Sequence, residues 1–125
     1  MLKVVIIGYG EMFNNAIAGV LDSGSKIVGV FRHDRIKYPR FIRWIKDIIN
    51  PDTDYSYIQS YNLHEIKATS ANSESFRKQI LKLNPDIMIV ASWSEKLEKL
   101  TYDMPKTATI NIHPSLLPKY RGPDR

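Results

Sequence analysis

The residues best suited to chemistry stand near the end of the chain, where Asn111 and His113 are separated by one apolar residue. Because successive side chains of a strand alternate between its faces, the two would lie on the same side of a strand. A histidine can accept a proton from an attacking amine, and an amide N–H can donate to an oxygen that becomes anionic. The pair indicates acyl transfer to nitrogen, with a structural, hydrogen-bonded histidine as the alternative.

The segment after this pair is stiffened by proline. Pro114 and Pro118 bracket a Ser-Leu-Leu segment, and each proline fixes its own backbone φ and removes one N–H donor. A loop of fixed path directly after Asn111 and His113 suits a reacting centre.

Four buried apolar runs and the helical patterns between them predict an α/β fold. Continuous β-branched runs are typical of strands covered on both faces of a parallel sheet. We expect an open, mostly parallel sheet with helices on both faces, truncated at its C-terminal end, in one domain over residues 1–125. The predicted strands are residues 4–7, 27–31, 87–90 and 107–112, and the predicted helices are 13–21, 38–49, 73–83, with Asn72 or Ser73 as cap, and 95–100.

Ser92, Trp93 and Ser94 directly follow the third predicted strand. In an open α/β sheet, ligands bind at the carboxyl ends of the strands. A tryptophan flanked by serines suits the lip of a pocket. The alternative, that Trp93 packs on the sheet edge, stays open because large aromatic side chains dominate cores.

Composition and charge narrow the class of protein. The chain has 125 residues and no cysteine, which excludes disulfides, cysteine nucleophiles and thiolate metal sites and suits the cytoplasm. No apolar stretch approaches the length of a signal peptide core or a membrane span. A net charge of +5 favours anionic partners such as phosphates, carboxylates or nucleic acid. The basic side of the predicted helix 38–49 is either solvated surface or a phosphate or RNA contact.

Two familiar kinds of site do not match the pattern. Gly8 and Gly10 follow the first strand, but Phe13 occupies the third glycine position of a dinucleotide-binding fingerprint. The two glycines therefore predict a tight turn, and a nucleotide-dependent oxidoreductase is a weak alternative. The three histidines at 33, 64 and 113 are too scattered for a metal-ligand pattern, so we predict no metal site.

A longer segment carries a family resemblance. Residues 111–122, Asn-Ile-His-Pro-Ser-Leu-Leu-Pro-Lys-Tyr-Arg-Gly, resemble the signature of the 10-formyltetrahydrofolate-dependent formyltransferases. The likeness extends more loosely over residues 4–10, 29–31, 84–86 and 91–94. It implies a Rossmann-like N-terminal catalytic domain with the folate at the C-terminal edge of the sheet.

The resemblance also implies roles for individual residues. Asn111 would hold the formyl oxygen, and His113 would take the proton as a primary amine attacks. The folate co-substrate would contact residues of two segments, namely Trp93, Ser94 and Leu97 around the pterin and Ser115, Leu116, Leu117 and Pro118 along the loop.

Departures from the family pattern bear on the acceptor. Purine-pathway members carry a Ser-Gly-x-Gly phosphate loop, and Glu11 places an acid there in this chain, which disfavours that branch. Trp93 and Ser94 resemble sugar N-formyltransferases, whereas residues 29–31 and the basic helix suit tRNA-formylating members. An aminoacyl-tRNA and an amino sugar therefore both stay open as acceptors.

The family also places a catalytic aspartate well downstream of the histidine, in a segment that these 125 residues lack. Asp124 is too near His113 in sequence to replace it. We expect these residues alone to be weakly active or inactive, because nothing would orient the histidine or stabilise its protonated form. The chain would be a fragment of a longer enzyme. The alternative is a non-catalytic folate-binding or interaction module of the same fold. If the missing segment leaves a sheet edge open, pairing of that edge with a second copy would favour a homo-oligomer.

Overall fold

Parallel strands form the centre of the protein. The computed structural model describes residues 1–32, 58–93 and 95–112. The sheet has the order β2-β1-β3-β4, and each of its three pairings is parallel. This order confirms the predicted open parallel sheet, with boundaries within one residue of the expected ones. The strands are β1 (Lys3–Gly8), β2 (Lys26–Arg32), β3 (Ile87–Ala91) and β4 (Ala108–Ile112).

In the described ranges the helices between these strands are α1 (Gly10–Asp22), α2 (Glu74–Leu83) and α3 (Lys99–Tyr102). Ser73 caps α2 as predicted, because its hydroxyl accepts a hydrogen bond from the Phe76 N–H at 3.1 Å. Asn84 ends that helix in the left-handed conformation with a φ of 51°. The helix predicted for residues 38–49 lies outside the described residues.

The prediction of a helix over residues 95–100 is wrong, because α3 begins only at Lys99. The Glu95 carboxylate accepts hydrogen bonds from Ser70 and Ala71, and the Glu98 backbone is extended with ψ at 158°. These contacts hold the segment against residues 70–72, so the helix cannot start earlier.

Apolar side chains cover both faces of the sheet. The side that carries helix α1 is called the α1 face, and its buried members are Val4, Ile6, Phe13, Ile17, Ile27, Val30 and Ile58. The opposite side, which carries α2, is called the α2 face, and its buried members are Val5, Ile7, Phe31, Ile66, Ala71, Phe76, Ile80, Met88 and Val90. Helices on both faces were expected from the buried strands, and this expectation is confirmed.

The amino-terminal edge of the sheet is held by Asp86. Its carboxylate accepts the Lys3 N–H at 2.8 Å, and its own N–H donates to the Lys3 carbonyl at 2.8 Å. The Lys3 hydrogen bond is the main reason why the pKa of the Asp86 carboxyl lies below its ordinary value of 3.8. Partial burial opposes this shift, and the Lys106 ammonium, 3.7 Å from Oδ1, adds to it.

Candidate active site

The described strands β1 to β4 end together at one edge of the sheet. Gly8 is the register partner of both Arg32 and Ala91, and Ala91 is the partner of Ile112. These four residues therefore form a row across the carboxyl edge. Loops that leave this edge are the usual ligand-binding elements of an open parallel sheet.

Strand β1 approaches β3 very closely at this edge. A Cβ atom built on Gly8 would lie 1.9 Å from the Ala91 carbonyl oxygen, so only glycine fits there. The Tyr9 N–H donates to that oxygen at 3.3 Å, and Gly10 turns into α1 with a φ of +76°. The predicted tight turn at Gly8 and Gly10 is confirmed.

Asn111 lies on the α2 face near the end of β4. It is the register partner of Val90, whose side chain is buried on that face, and register partners of neighbouring strands share a face. The next residue, Ile112, therefore points to the α1 face, where it lines a groove with Met12. The Asn111 residue is exposed, which leaves it accessible to a ligand at the carboxyl edge.

Trp93 and Leu97 lie on this same face. Both are half-buried and pack against the apolar cluster of the α2 face. The Trp93 ring centroid is 5.3 Å from that of Phe31, which is in turn 4.9 Å from Phe76. The interpretation that Trp93 packs on the sheet is confirmed, and its second predicted role, as a pocket wall, stays a prediction.

Ser92 sets the direction of the chain between β3 and Trp93. Its φ is +60°, in the left-handed region that residues other than glycine rarely adopt. Such backbone conformations cost about 1–3 kcal/mol and persist where surrounding contacts impose them. The chain therefore turns sharply at the carboxyl end of β3, directly before the tryptophan.

Polar contacts that the sequence did not reveal join the loop after β3 to the segment before α2. Glu95 accepts hydrogen bonds from the Ser70 hydroxyl, from the Ala71 N–H at 2.9 Å and from Trp93 Nε1 at 3.4 Å. Asn72 donates to the Lys96 carbonyl at 2.8 Å and accepts from the Glu98 N–H at 2.7 Å. In each hydrogen bond that joins the two segments, the donor and the acceptor are 24 to 26 residues apart in sequence. Local sequence patterns therefore cannot reveal these contacts.

A buried ion pair lies at the other side of the carboxyl edge. Arg32 Nε is 2.7 Å from Glu65 Oε2, and the two side chains are 1% and 9% exposed. Taking two charges out of water is costly, so a pair of this kind is retained only where its geometry is good. It fixes the end of β2 against residues 64–66, which also exchange two backbone hydrogen bonds with Val30.

The apolar groove, with a volume of about 330 Å³, lies on the opposite, α1 face of the sheet. Its described lining residues are Met12, Asn15, Ala16, Gly19, Val20, Ile89 and Ile112, and the described site residues Trp93, Leu97 and Asn111 are not among them. Among these described residues only Asn15 has a polar side chain, so the groove is a poor candidate for the reacting centre.

The remaining predicted site residues lie outside the described part of the chain. They are Ser94, His113, Ser115, Leu116, Leu117 and Pro118. Within residues 1–32, 58–93 and 95–112, no three acidic or histidine side chains come together as a group that could hold a metal ion. The helices of the same ranges include none that is long and apolar enough to cross a membrane.

Fold and site together define an α/β protein with a candidate site on the α2 face of its carboxyl edge. A family model described as formyl transferase matches residues 2–125. The chain therefore belongs to the formyl transferase family.

Curated relatives are enzymes of longer sequence. A methionyl-tRNA formyltransferase of Alkaliphilus oremlandii is 30% identical over 121 residues, which are 97% of this chain and 37% of the relative. One from Thermotoga neapolitana is 33% identical over 122 residues, again 97% and 37% of the two chains. The chain thus spans little more than a third of the length of these relatives.

Solved structures show the same fold. Glycinamide ribonucleotide transformylase 1 from Symbiobacterium toebii superposes with a TM-score of 0.66 at 16% sequence identity. The superposition covers 98% of this chain and 56% of the transformylase chain. The phosphoribosylglycinamide formyltransferase of Coxiella burnetii has a TM-score of 0.63 at 23% identity, with 97% and 55% covered. At these identities the likeness supports the architecture, and it does not decide the acceptor.

Proposed function

We propose that this chain binds 10-formyltetrahydrofolate on the α2 face of the carboxyl edge and serves formyl transfer to a primary amine. The observation that carries the proposal is the shared face of Asn111, Trp93 and Leu97. A polar amide beside two large apolar side chains suits a ligand with a flat ring system and a reactive carbonyl.

The proposed chemistry is one acyl transfer. The amine nitrogen attacks the formyl carbon, and the bond between that carbon and N10 of the folate then breaks. The Asn111 amide donates a hydrogen bond to the formyl oxygen as it becomes anionic. His113 accepts the proton that the amine loses and passes it to N10 as N10 leaves.

The apolar part of the ligand would lie against the loop after β3. Trp93 and Leu97 offer half-buried apolar surface there, on a loop tied to residues 70–72. Through the resemblance we assign the other folate contacts to Ser94, Ser115, Leu116, Leu117 and Pro118. A pocket with mostly apolar walls and a few fixed polar groups is the common form of a small-molecule site.

The acceptor is an aminoacyl-tRNA or an amino sugar. The relatives named as methionyl-tRNA formyltransferases and the net charge of +5 support the nucleic-acid-linked acceptor. Transfer assays with methionyl-tRNA and with an amino-sugar nucleotide in parallel distinguish the two.

We expect the 125 residues by themselves to transfer formyl groups weakly or not at all. The family resemblance requires a carboxylate to orient the histidine, and the sequence offers no aspartate at a suitable distance from His113. Loss of such an orienting carboxylate lowers kcat about 10⁴-fold in a well-studied triad. A non-catalytic folate-binding module, the alternative, would likewise bind folate without turning it over.

Equilibrium titration of the chain with 10-formyl-5,8-dideazafolate, a stable analogue that keeps the formyl group on N10, tests the proposal when no amine is present. Asn111→Ala should raise the Kd about fivefold, as expected for one lost hydrogen bond. Asn15→Ala is the matched control, since Asn15 is an exposed asparagine that lines the groove on the α1 face. The proposal fails if the chain does not bind the analogue, or if both variants weaken binding equally.

A further inference from the structure

The Glu95 carboxylate is the meeting point of three hydrogen-bond donors from two segments of the chain. It accepts from the Ser70 hydroxyl, from the Ala71 N–H and from the Trp93 indole. We propose that Glu95 is a positioning residue of the site: it fixes the Trp93 ring as a wall of the folate pocket. The inference rests on the proposed function only in the identity of the ligand.

The loop after β3 needs such a device because it has little regular structure of its own. Ser92 is in the left-handed conformation, and the described residues 95–98 are not helical, since α3 begins at Lys99. Side-chain hydrogen bonds therefore decide where the loop lies. Asn72 holds its middle through Lys96 and Glu98, and Thr101 closes its end by donating to the Ala71 carbonyl at 2.9 Å.

Glu95 contacts the tryptophan directly, through the indole N–H. Phe31 packs against the ring at 5.3 Å, with the two planes inclined by 45°. An apolar contact of this kind does not fix the rotation of the ring. A hydrogen bond from Nε1 to Glu95 Oε1, at 3.4 Å, favours one orientation.

The contact also explains why a charged side chain lies half-buried beside the core. A carboxylate loses hydration when it is partly buried, and hydrogen bonds from several donors compensate for that loss. The same oxygen that accepts the indole N–H accepts the Ala71 backbone N–H, so Trp93 is tied to the start of the segment that leads into α2. Movement of either segment would thus move the ring.

Tryptophan fluorescence reports this arrangement directly. The chain has two tryptophans, so a Trp44→Phe background leaves Trp93 as the single tryptophan, which is excited selectively at wavelengths that tyrosine does not absorb. In that background, Glu95→Ala should raise acrylamide quenching of Trp93 towards the value of free indole. It should also raise the Kd for 10-formyl-5,8-dideazafolate about tenfold, a loss of binding free energy comparable to the contribution of one hydrogen bond to a charged group.

Glu98→Ala is the matched control. Glu98 is an exposed glutamate three positions along the same loop, its side chain makes no capping hydrogen bond to α3, and its contact with Asn72 uses the backbone N–H. Quenching and Kd should both stay at the values of the parent. Glu95→Gln keeps one acceptor oxygen and should give intermediate values, and it supplies the readout if Glu95→Ala does not fold.

The two readouts separate the inference from the proposed function. Unchanged quenching in both Glu95 variants, or equal changes in the Glu95 and Glu98 variants, would overturn the positioning role. If the parent does not bind the folate while Glu95→Ala still exposes Trp93, the proposed function fails and the positioning of the ring by Glu95 stands. Altered quenching with unchanged folate affinity would overturn the claim that the ring forms the pocket wall.

Discussion

Replacing Gly8 by alanine should force β1 and β3 apart at the edge of the sheet where the candidate site lies. The new methyl carbon would lie 1.9 Å from the Ala91 carbonyl oxygen and 2.8 Å from its carbonyl carbon. Ordinary contacts of a Cβ atom begin at 3.4 Å, so the two backbones would have to separate by about 1.5 Å. The obstacle is backbone, so no side chain can rotate away to relieve it.

The cost has two parts. Overpacking in a tight interior costs about 1–3 kcal/mol, and occasionally more. The hydrogen bond from the Tyr9 N–H to the Ala91 carbonyl, at 3.3 Å, would also be lost, at about 1 kcal/mol. We expect Gly8→Ala to lower the free energy of unfolding by about 3 kcal/mol, a large share of the roughly 5–15 kcal/mol of a typical domain.

Urea unfolding followed by far-ultraviolet circular dichroism at 25 °C measures the change. Gly19→Ala is the control, because a Cβ built on this α1 residue meets nothing within 4 Å. Alanine there should stabilise the protein by about 0.5–1 kcal/mol, since glycine is a poor helix former. The reasoning is refuted if Gly8→Ala unfolds at the parent's urea concentration, or if both variants shift in the same direction.

Three further substitutions test other parts of the fold. Ser92→Gly should raise the unfolding free energy by about 0.5–1 kcal/mol by relieving the left-handed φ, whereas Ser92→Ala should not raise it in the same urea titration. Ser73→Ala should lower it by about 1 kcal/mol through loss of the α2 cap, while Ser75→Ala, inside the helix, should cost less. Asp86→Asn should destabilise the protein at pH 7. Because the pKa of the Asp86 carboxyl is lower in the folded protein than its unfolded value of 3.8, the carboxylate contributes its full stability above pH 3.8. That contribution is lost as the pH falls through the pKa of the folded state. Unfolding at pH 7 and at successively lower pH should show the difference from the parent shrinking below pH 3.8, and a difference independent of pH would contradict this cause.

The strands and the main helices could be predicted because their signals are local. The apolar runs of β1 and β3, rich in β-branched residues, predicted buried parallel strands. Ser73 and Asn84 indicated the two ends of α2. The face of Asn111 follows from alternation along β4 once the register with Val90 is known. These features depend on residues a few positions apart.

The loop after β3 could not be predicted, because its geometry depends on distant partners. The spacing of residues 95–100 looked helical, yet Glu95 is engaged by Ser70 and Ala71, more than 20 residues away. The necessity of glycine at position 8 arises in the same way, from its approach to Ala91 on another strand. The buried pair of Arg32 and Glu65 is a third contact of this kind.

A nuclear magnetic resonance titration of the ¹⁵N-labelled chain with 10-formyl-5,8-dideazafolate tests most directly where the folate binds. The proposed site predicts saturable shifts centred on the amides of Trp93, Leu97 and Asn111, with the Trp93 indole N–H among the largest. Amides of the α1-face groove, such as Met12 and Gly19, should move little. Shifts centred on that groove, or no saturable shift at all, would contradict the assignment of the site.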